Sequence, residues 1–264
     1  MAIVNITSDS FSDDGYLFNG KPCLDRVLQH AEACVADGAS ILDVGGESTR
    51  PGAVPVSPNE ELDRVVPVIE ALVSRFDVII SIDTSAPAVM LEAASHGVSL
   101  INDVRALSCQ GAIDAALSTG LPVCLMHMRG TPQTMQNDPM YSDLVKDVYQ
   151  WLMCRVDTCL ASGFAPEQLI LDPGFGFGKT KEHNVHLFRN LAQFVQTRYP
   201  VMIGVSRKTM IGEITGRPVE QRATGSAVAA ALAAAQGVAI LRVHDVAETR
   251  DAISVMQVLM QEMQ

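Results

Sequence analysis

Eight short apolar runs, helical stretches between them and polar residues closing each run predict an α/β chain folded as one (β/α)8 TIM barrel over residues 1–264. The runs are residues 2–6, 40–44, 78–82, 99–101, 122–126, 168–171, 201–205 and 239–243, each too short to be a helix and bounded by turn formers. Helical spacing of apolar residues marks 23–36, 60–75, 87–95, 144–162 and 248–260. Gly38, Gly97, Gly120, Gly163 and Gly237 each stand between a helix end and the next run, where a left-handed cap is easiest for glycine. Residues 223–238 read as a small-residue helix packed in a core. A doubly wound open sheet is the competing architecture, but it needs a switch point and usually fewer strands. No Pro/Ser-rich linker or low-complexity segment divides the chain.

Nineteen Lys and Arg against 30 Asp and Glu leave a net charge of −11, which argues against nucleic acid or an anionic membrane as the main partner. An anionic ligand then has to be held by a local cluster of cations. The six cysteines have no CxxC spacing and no secretory segment precedes them, so reduced thiols in the cytoplasm are expected. No uncharged apolar stretch approaches the roughly 20 residues of a membrane span.

Two late clusters, Ser206-Arg207-Lys208 and Arg242-Val243-His244, place cations at the ends of the last two runs. In a parallel α/β barrel the chemistry lies on the rim built from strand C-termini, and the last two strands commonly hold phosphate there. A phosphorylated substrate follows. The other run ends carry Asn5, Asp43, Asp83, Asn102, His127 and Asp172. A single Asp after a strand is more often a helix N-cap than a catalyst. Capping explains less well why Asn5, Asp83, Asn102, Asp172 and Lys208 should all converge on one rim. Carboxylates, amides and an ammonium together suit a flat heterocycle with donor and acceptor edges.

The segments Asn5-Ile6-Thr7-Ser8-Asp9-Ser10-Phe11-Ser12-Asp13, Asp43-Val44-Gly45-Gly46-Glu47-Ser48-Thr49-Arg50-Pro51-Gly52, Ser81-Ile82-Asp83-Thr84-Ser85, Ile101-Asn102-Asp103 and Leu171-Asp172-Pro173-Gly174-Phe175-Gly176-Phe177-Gly178-Lys179, with both cationic clusters, occur in the order seen in one family. The chain resembles the dihydropteroate synthases, pterin-binding barrels of bacterial folate synthesis and targets of sulfonamides. The resemblance implies condensation of 6-hydroxymethyl-7,8-dihydropterin pyrophosphate with p-aminobenzoate, giving 7,8-dihydropteroate and pyrophosphate. It implies a pterin site at Asp83, Asn102, Met126, Asp172, Phe177 and Lys208, and a pyrophosphate site at Asn5, Arg50, Arg242 and His244. It implies a p-aminobenzoate site at Phe11, Thr49, Pro51, Phe177, Ser206 and Lys208, with long mobile loops after strands 1 and 2. Lys208, Arg50 and Asp83 are the implied catalytic residues, and Asn5 lies near an implied Mg²⁺. Arg242 and His244 are expected to contact only the leaving group. A homodimer through barrel helices is implied as well.

Two features depart from the family pattern. Ser8 stands where a proline is usual, leaving the first loop more backbone entropy to lose, and Asp14 stands where a glycine is usual. The chain also starts almost at its first strand, so a barely covered barrel floor is expected. A pterin-dependent methyltransferase is the nearest alternative enzyme, and a pterin binder without catalysis is the alternative from another class. Other patterns are weaker. Residues 173–180 imitate a nucleotide-binding loop but place Pro173 where glycine is required. His183 and His186 suit a solvated helix face better than a metal site, and His127 is equally a mouth residue or a satisfied core histidine. Cys154 and Cys159 lack zinc partners. Met256, Met260 and Met263 suit packing or a subunit contact.

Overall fold

Alternation along each apolar run is what builds the barrel wall. The computed structural model describes residues 1–7, 17–18, 21–48, 53, 55–130, 135 and 139–260. The strands are β1 Ala2–Asn5, β2 Ile41–Gly45, β3 Ile79–Asp83, β4 Leu100–Asp103, β5 Val123–Met126, β6 Leu169–Asp172, β7 Met202–Ile203 and β8 Ile240–Leu241. The first six pair in parallel, each with the next. A bridge from Leu171 to Val201 joins β6 to the β7 run, β7 pairs with β8, and a bridge from Ala2 to Val243 returns to β1. That closure removes the open-sheet alternative, because a doubly wound sheet leaves two edges.

Each strand is followed by helix: α1 Leu24–Ala36, α2 Pro58–Arg75, α3 Pro87–Ser95, α4 Ala112–Thr119, α5 Leu144–Ala161, α6 Lys181–Arg189 with the single turn α7 Ala192–Val195, α8 Thr209–Thr215 with α9 Ala223–Ala235, and α10 Val246–Met260. A short antiparallel pairing of Leu17–Phe18 with Lys21–Pro22 precedes α1. Helix α2 begins two residues earlier than its apolar spacing suggests. Ser57 caps it by accepting from Glu60 N, Pro58 occupies the first turn, and Glu60 and Glu61 face the positive helix end.

Two expectations are corrected. The last two strands are two residues long instead of five: only Met202–Ile203 pair with Ile240–Leu241, Val201 and Val243 make isolated bridges to Leu171 and Ala2, and Gly204 begins the loop. Helix α9 is packed on one face only: Ser226, Ala227, Ala230 and Ala233 are buried, while Val228 and Leu232 are 53% and 55% exposed. Phe11, Thr49, Arg50 and Pro51, with Ser8, Asp14 and the substance of the first two loops, lie outside the described residues.

Candidate active site

Strand periodicity sorts the wall into two faces. Leu42, Val44, Ile80, Ile82, Ile101, Val123, Leu125, Leu169, Leu171 and Ile203 face the helices and form the main core. Leu100, Cys124, Ile170 and Met202, with Met1 and Ile240, form a separate apolar cluster that fills the lower barrel. Two residues further along the same strands, on the same face, stand Asn102, Met126, Asp172, Gly204 and Arg242. One step of two therefore converts an apolar plug into a polar mouth. Asp83 and Asp172 close their strands and Asn102 stands one residue before the end of its own, all within the ladder and not beyond it as expected, since backbone pairing is indifferent to side-chain polarity.

Arg242 is the centre of this layer. Its Nε lies 2.6 Å from Asp43 Oδ2 and its Nη2 lies 2.7 Å from Asp83 Oδ2. Asn102 Nδ2 donates to the same Asp43 oxygen at 3.0 Å. Asp43 Oδ1 and the Ser81 hydroxyl are buried without a protein partner among the described residues. Gly45 keeps the opening clear, since a Cβ there would stand 3.1 Å from Asn5 Oδ1. Burial pushes the Asp83 carboxyl up to about 7 against the pull of Arg242, and it pushes Asp172 up against the pull of Lys208. Burial opposes the charge on Arg242, yet Asp43 and Asp83 outweigh it and its pKa is raised. Beside the leaving-group contact expected of it, Arg242 neutralises two buried acids, Asp43 and Asp83.

The second half of the site is the loop after β6. Asp172 Oδ1 accepts from Gly174 N at 2.7 Å. Gly174 has φ +72°, and a Cβ there would lie 1.8 Å from His127 O, so only glycine fits. Lys179 turns inward beneath the loop, its Nζ 2.8 Å from Gly174 O, 3.1 Å from Phe177 O and 2.9 Å from His127 Nδ1. Burial lowers Lys179 to about 7. His127 is lowered to about 2, first by burial and then by Lys179, and its ring meets the edge of Trp151 at 5.1 Å. It is a neutral core histidine, and Lys179 is a loop strap unlike the lysine of a nucleotide loop. His183 caps α6 through Thr180, and no group of three metal-ligating side chains exists among the described residues.

Lys208 precedes α8 and donates to Phe175 O, with its Nζ 4.6 Å above the Phe177 ring. Burial lowers its pKa to about 8, Asp172 resisting and Arg242 assisting. Ser206 Oγ accepts from His244 N at 3.1 Å. Asn5, Asp83, Phe177, Lys208, Arg242 and His244, with Ser206, line one cavity of about 750 Å³. Asn102, Met126 and Asp172 are nearly fully buried at its polar layer.

Sequence reading assigned no role to Asp43, Glu61 or Lys179. Inward alternation from Leu100 and Asn102 across to Asp43 could have found the first. Nothing in spacing marks Glu61, which tucks under Gly46: a Cβ on Gly46 would meet Glu61 Cγ at 2.9 Å and Val65 Cγ1 at 2.8 Å. Its Oε1 has no partner among the described residues, and burial pushes it up from 4.5 to about 7 despite a hydrogen bond from Thr84. A carboxyl with its folded pKa above its unfolded value takes up a proton on folding. Its stabilising contribution is full below pH 4.5 and is lost as pH rises through about 7. Glu61→Gln removes that dependence. Denaturant unfolding at pH 5.5 and pH 8 should therefore show the variant gaining on the wild type by on the order of 2 kcal/mol at the higher pH. A constant difference across that range would refute the buried acid.

A family of pterin binding enzymes matches residues 1–244. The dihydropteroate synthase of Haemophilus influenzae is 51% identical over 257 residues, 97% of this chain and 92% of that protein. Among solved structures, the Yersinia pestis dihydropteroate synthase in complex with a sulfonamide drug has a TM-score of 0.93 at 50% identity, covering 98% of this chain and 92% of that one. The Xanthomonas albilineans enzyme in complex with 7,8-dihydropteroate has a TM-score of 0.87 at 42% identity, covering 99% and 93%.

Proposed function

The chain belongs to the pterin-binding enzymes and, among them, to the dihydropteroate synthases, and from that membership we propose how its barrel mouth works. It is a transferase that condenses 6-hydroxymethyl-7,8-dihydropterin pyrophosphate with p-aminobenzoate to give 7,8-dihydropteroate and pyrophosphate in folate synthesis. The methyltransferase and binder readings are set aside, since the relatives described above are synthases.

The observation that carries the mechanism is one cavity lined by Lys208, whose Nζ stands over the Phe177 ring, together with Arg242 and His244. Asp83, Asn102 and Asp172, with Met126 beside them, hold the pterin ring: carboxylates accept from its N–H groups, and Asn102 and Lys208 address its acceptors. Asn5, Arg242 and His244 hold the pyrophosphate, joined by Arg50. The p-aminobenzoate lies against Phe177, Ser206 and Lys208, with Phe11, Thr49 and Pro51 completing its site. The C–O bond to pyrophosphate breaks ahead of attack by the aromatic amine, the C–N bond forms, and the amine proton leaves to solvent. The protein's part is fixed charge around the departing group, with little proton transfer of its own. A sulfonamide, seen bound to the Yersinia pestis relative, should compete with p-aminobenzoate here.

Mg²⁺ takes few protein oxygens and keeps several waters. Asn5 offers one amide oxygen at the cavity, and the described residues assemble no carboxylate cage there, a donor set that fits an ion arriving with pyrophosphate. When bound, the ion would spread the leaving group's charge. Pyrophosphate release is expected only with both substrates and Mg²⁺ present. Release without p-aminobenzoate, or none at all, would overturn the reading.

A second copy of the chain is the proposed partner. Val228 and Leu232 on α9 and Val255, Val258, Leu259 and Met260 on α10 are all more than half exposed, and α9 packs on α10. Apolar surface gathered on two adjacent helices fits a subunit interface. A monomer mass in sedimentation would exclude it. Six unpaired thiols support a cytoplasmic location, which fractionation of the native host would test. Among the described residues no helix is long and apolar enough to cross a membrane.

A further inference from the structure

The two halves of the cavity sit on strands that barely touch. The β7–β8 ladder ends at Leu241 paired with Ile203, with one further backbone bond from Arg242 N to Ile203 O at 2.9 Å. Ser206 and Lys208 lie beyond the end of one strand, Arg242 and His244 beyond the end of the other. Side chains set the spacing of these tips: the Ser206 hydroxyl, which accepts from His244 N at 3.1 Å, is one link, and a two-pronged ion pair is the other.

Arg207 stands at the junction. Its φ is +56°, a left-handed conformation disfavoured for a residue with a Cβ, and it persists because its N–H, its carbonyl and two guanidinium nitrogens are held. Its N–H donates to Ser226 Oγ at 2.9 Å, and its carbonyl accepts from Arg222 Nη1 at 2.9 Å. Its guanidinium grips Asp245 with two bonds, Nε to Oδ2 at 3.0 Å and Nη2 to Oδ1. Asp245 is buried at 7% exposure and directly follows His244. Arg222 is itself locked, for Gly212 leaves the space its guanidinium fills: a Cβ there would be 2.3 Å from Nη2. A planar, bidentate arginine–carboxylate pair fixes both distance and orientation, which a single hydrogen bond does not.

We propose that Arg207 and Asp245 form a clamp that sets the distance between the Ser206–Lys208 half and the Arg242–His244 half of the cavity. Both are positioning residues. They align two subsites so that one ligand spanning both is held in the geometry for reaction. The identity of that ligand rests on the synthase reading above.

A clamp acts on joined ligands and spares their parts, because its contribution is the registration of one subsite with the other. Titration calorimetry with three probes separates this from direct contact: the pterin alcohol alone, pyrophosphate with Mg²⁺ alone, and the pterin pyrophosphate. Asp245→Asn should weaken the joined ligand by about tenfold and lower kcat by at least as much, while each half binds within about twofold of wild type. Asp245→Glu, which keeps the charge, should recover part of the loss. Arg207→Gly keeps the left-handed turn without strain and removes the guanidinium, so it should match Asp245→Asn, and the double variant should be no worse than either. Pyrophosphate alone weakening as much as the joined ligand would make Arg207 a direct contact and overturn the clamp. So would a joined ligand indifferent to Asp245→Asn while wild type binds it. A wild-type protein that binds no pterin pyrophosphate would overturn the synthase reading and the clamp with it.

Discussion

Lys208→Ala is expected to lower kcat/KM by more than tenfold, a loss above roughly 1.4 kcal/mol in transition-state stabilisation, while the thermal transition stays close to wild type. The ammonium sits between Phe175 O and the Phe177 ring and is drawn toward Asp172, so it adjoins both the carboxylate proposed to meet the pterin and the ring proposed to flank p-aminobenzoate. Its removal takes charge from the reacting centre and little from the core, since the side chain is only half-buried at the rim. Steady-state kinetics with both substrates, beside a melting curve, decides the matter. A variant keeping more than a tenth of wild-type kcat/KM would remove Lys208 from the catalytic role.

Arg242→Met is expected to do two things where His244→Ala does one. Asp43 and Asp83 both lean on the Arg242 guanidinium, and Asp43 is fully buried. Breaking a buried ion pair from one side leaves an uncompensated charge, so the variant should lose about 3 kcal/mol of stability at pH 8. The sign with pH follows from Asp83. Its folded pKa already lies near 7, above its ordinary 3.8, and loss of the arginine raises it further. A raised carboxyl stabilises the native state below its unfolded pKa and loses that contribution as pH rises through the folded one. The deficit should therefore be larger at pH 8 than at pH 5.5. Ligand binding should weaken for the pterin alone as well as for its pyrophosphate, because the Asp43–Asn102–Asp83 layer is disturbed. His244→Ala, which removes a ring whose Nδ1 lies 3.1 Å from Ser206 Oγ, should weaken the pyrophosphate-bearing ligand alone. Denaturant unfolding at the two pH values, with calorimetry on both ligands, tests each half. Wild-type stability at pH 8 together with unchanged pterin binding would show that Arg242 serves the leaving group only.

The eight runs, their order and the cationic ends of the last two were all readable along the chain, because strand and helix periods are local properties and a buried parallel strand announces itself as an apolar run. The motifs around Asn5, Asp83, Asp172, Ser206 and Arg242 were readable too, since each is contiguous in sequence. What contiguity hides is partnership. Arg242 is 199 residues from Asp43 and 159 from Asp83, and only barrel closure brings β8 beside β1 and across from β2 and β3. The inward burial of Glu61 and Lys179 was equally hidden, because a charged residue in a helical or glycine-rich stretch reads as solvated until a neighbouring element covers it. Sequence by itself determined the barrel, its rim and the chemistry of the residues on it. The tertiary structure decided which of those residues neutralise one another, which are pushed toward the opposite protonation state, and that Arg207 and Asp245 hold the last two strand tips together. Charge pairing and desolvation depend on distance and burial in space, and neither is a function of position along the chain.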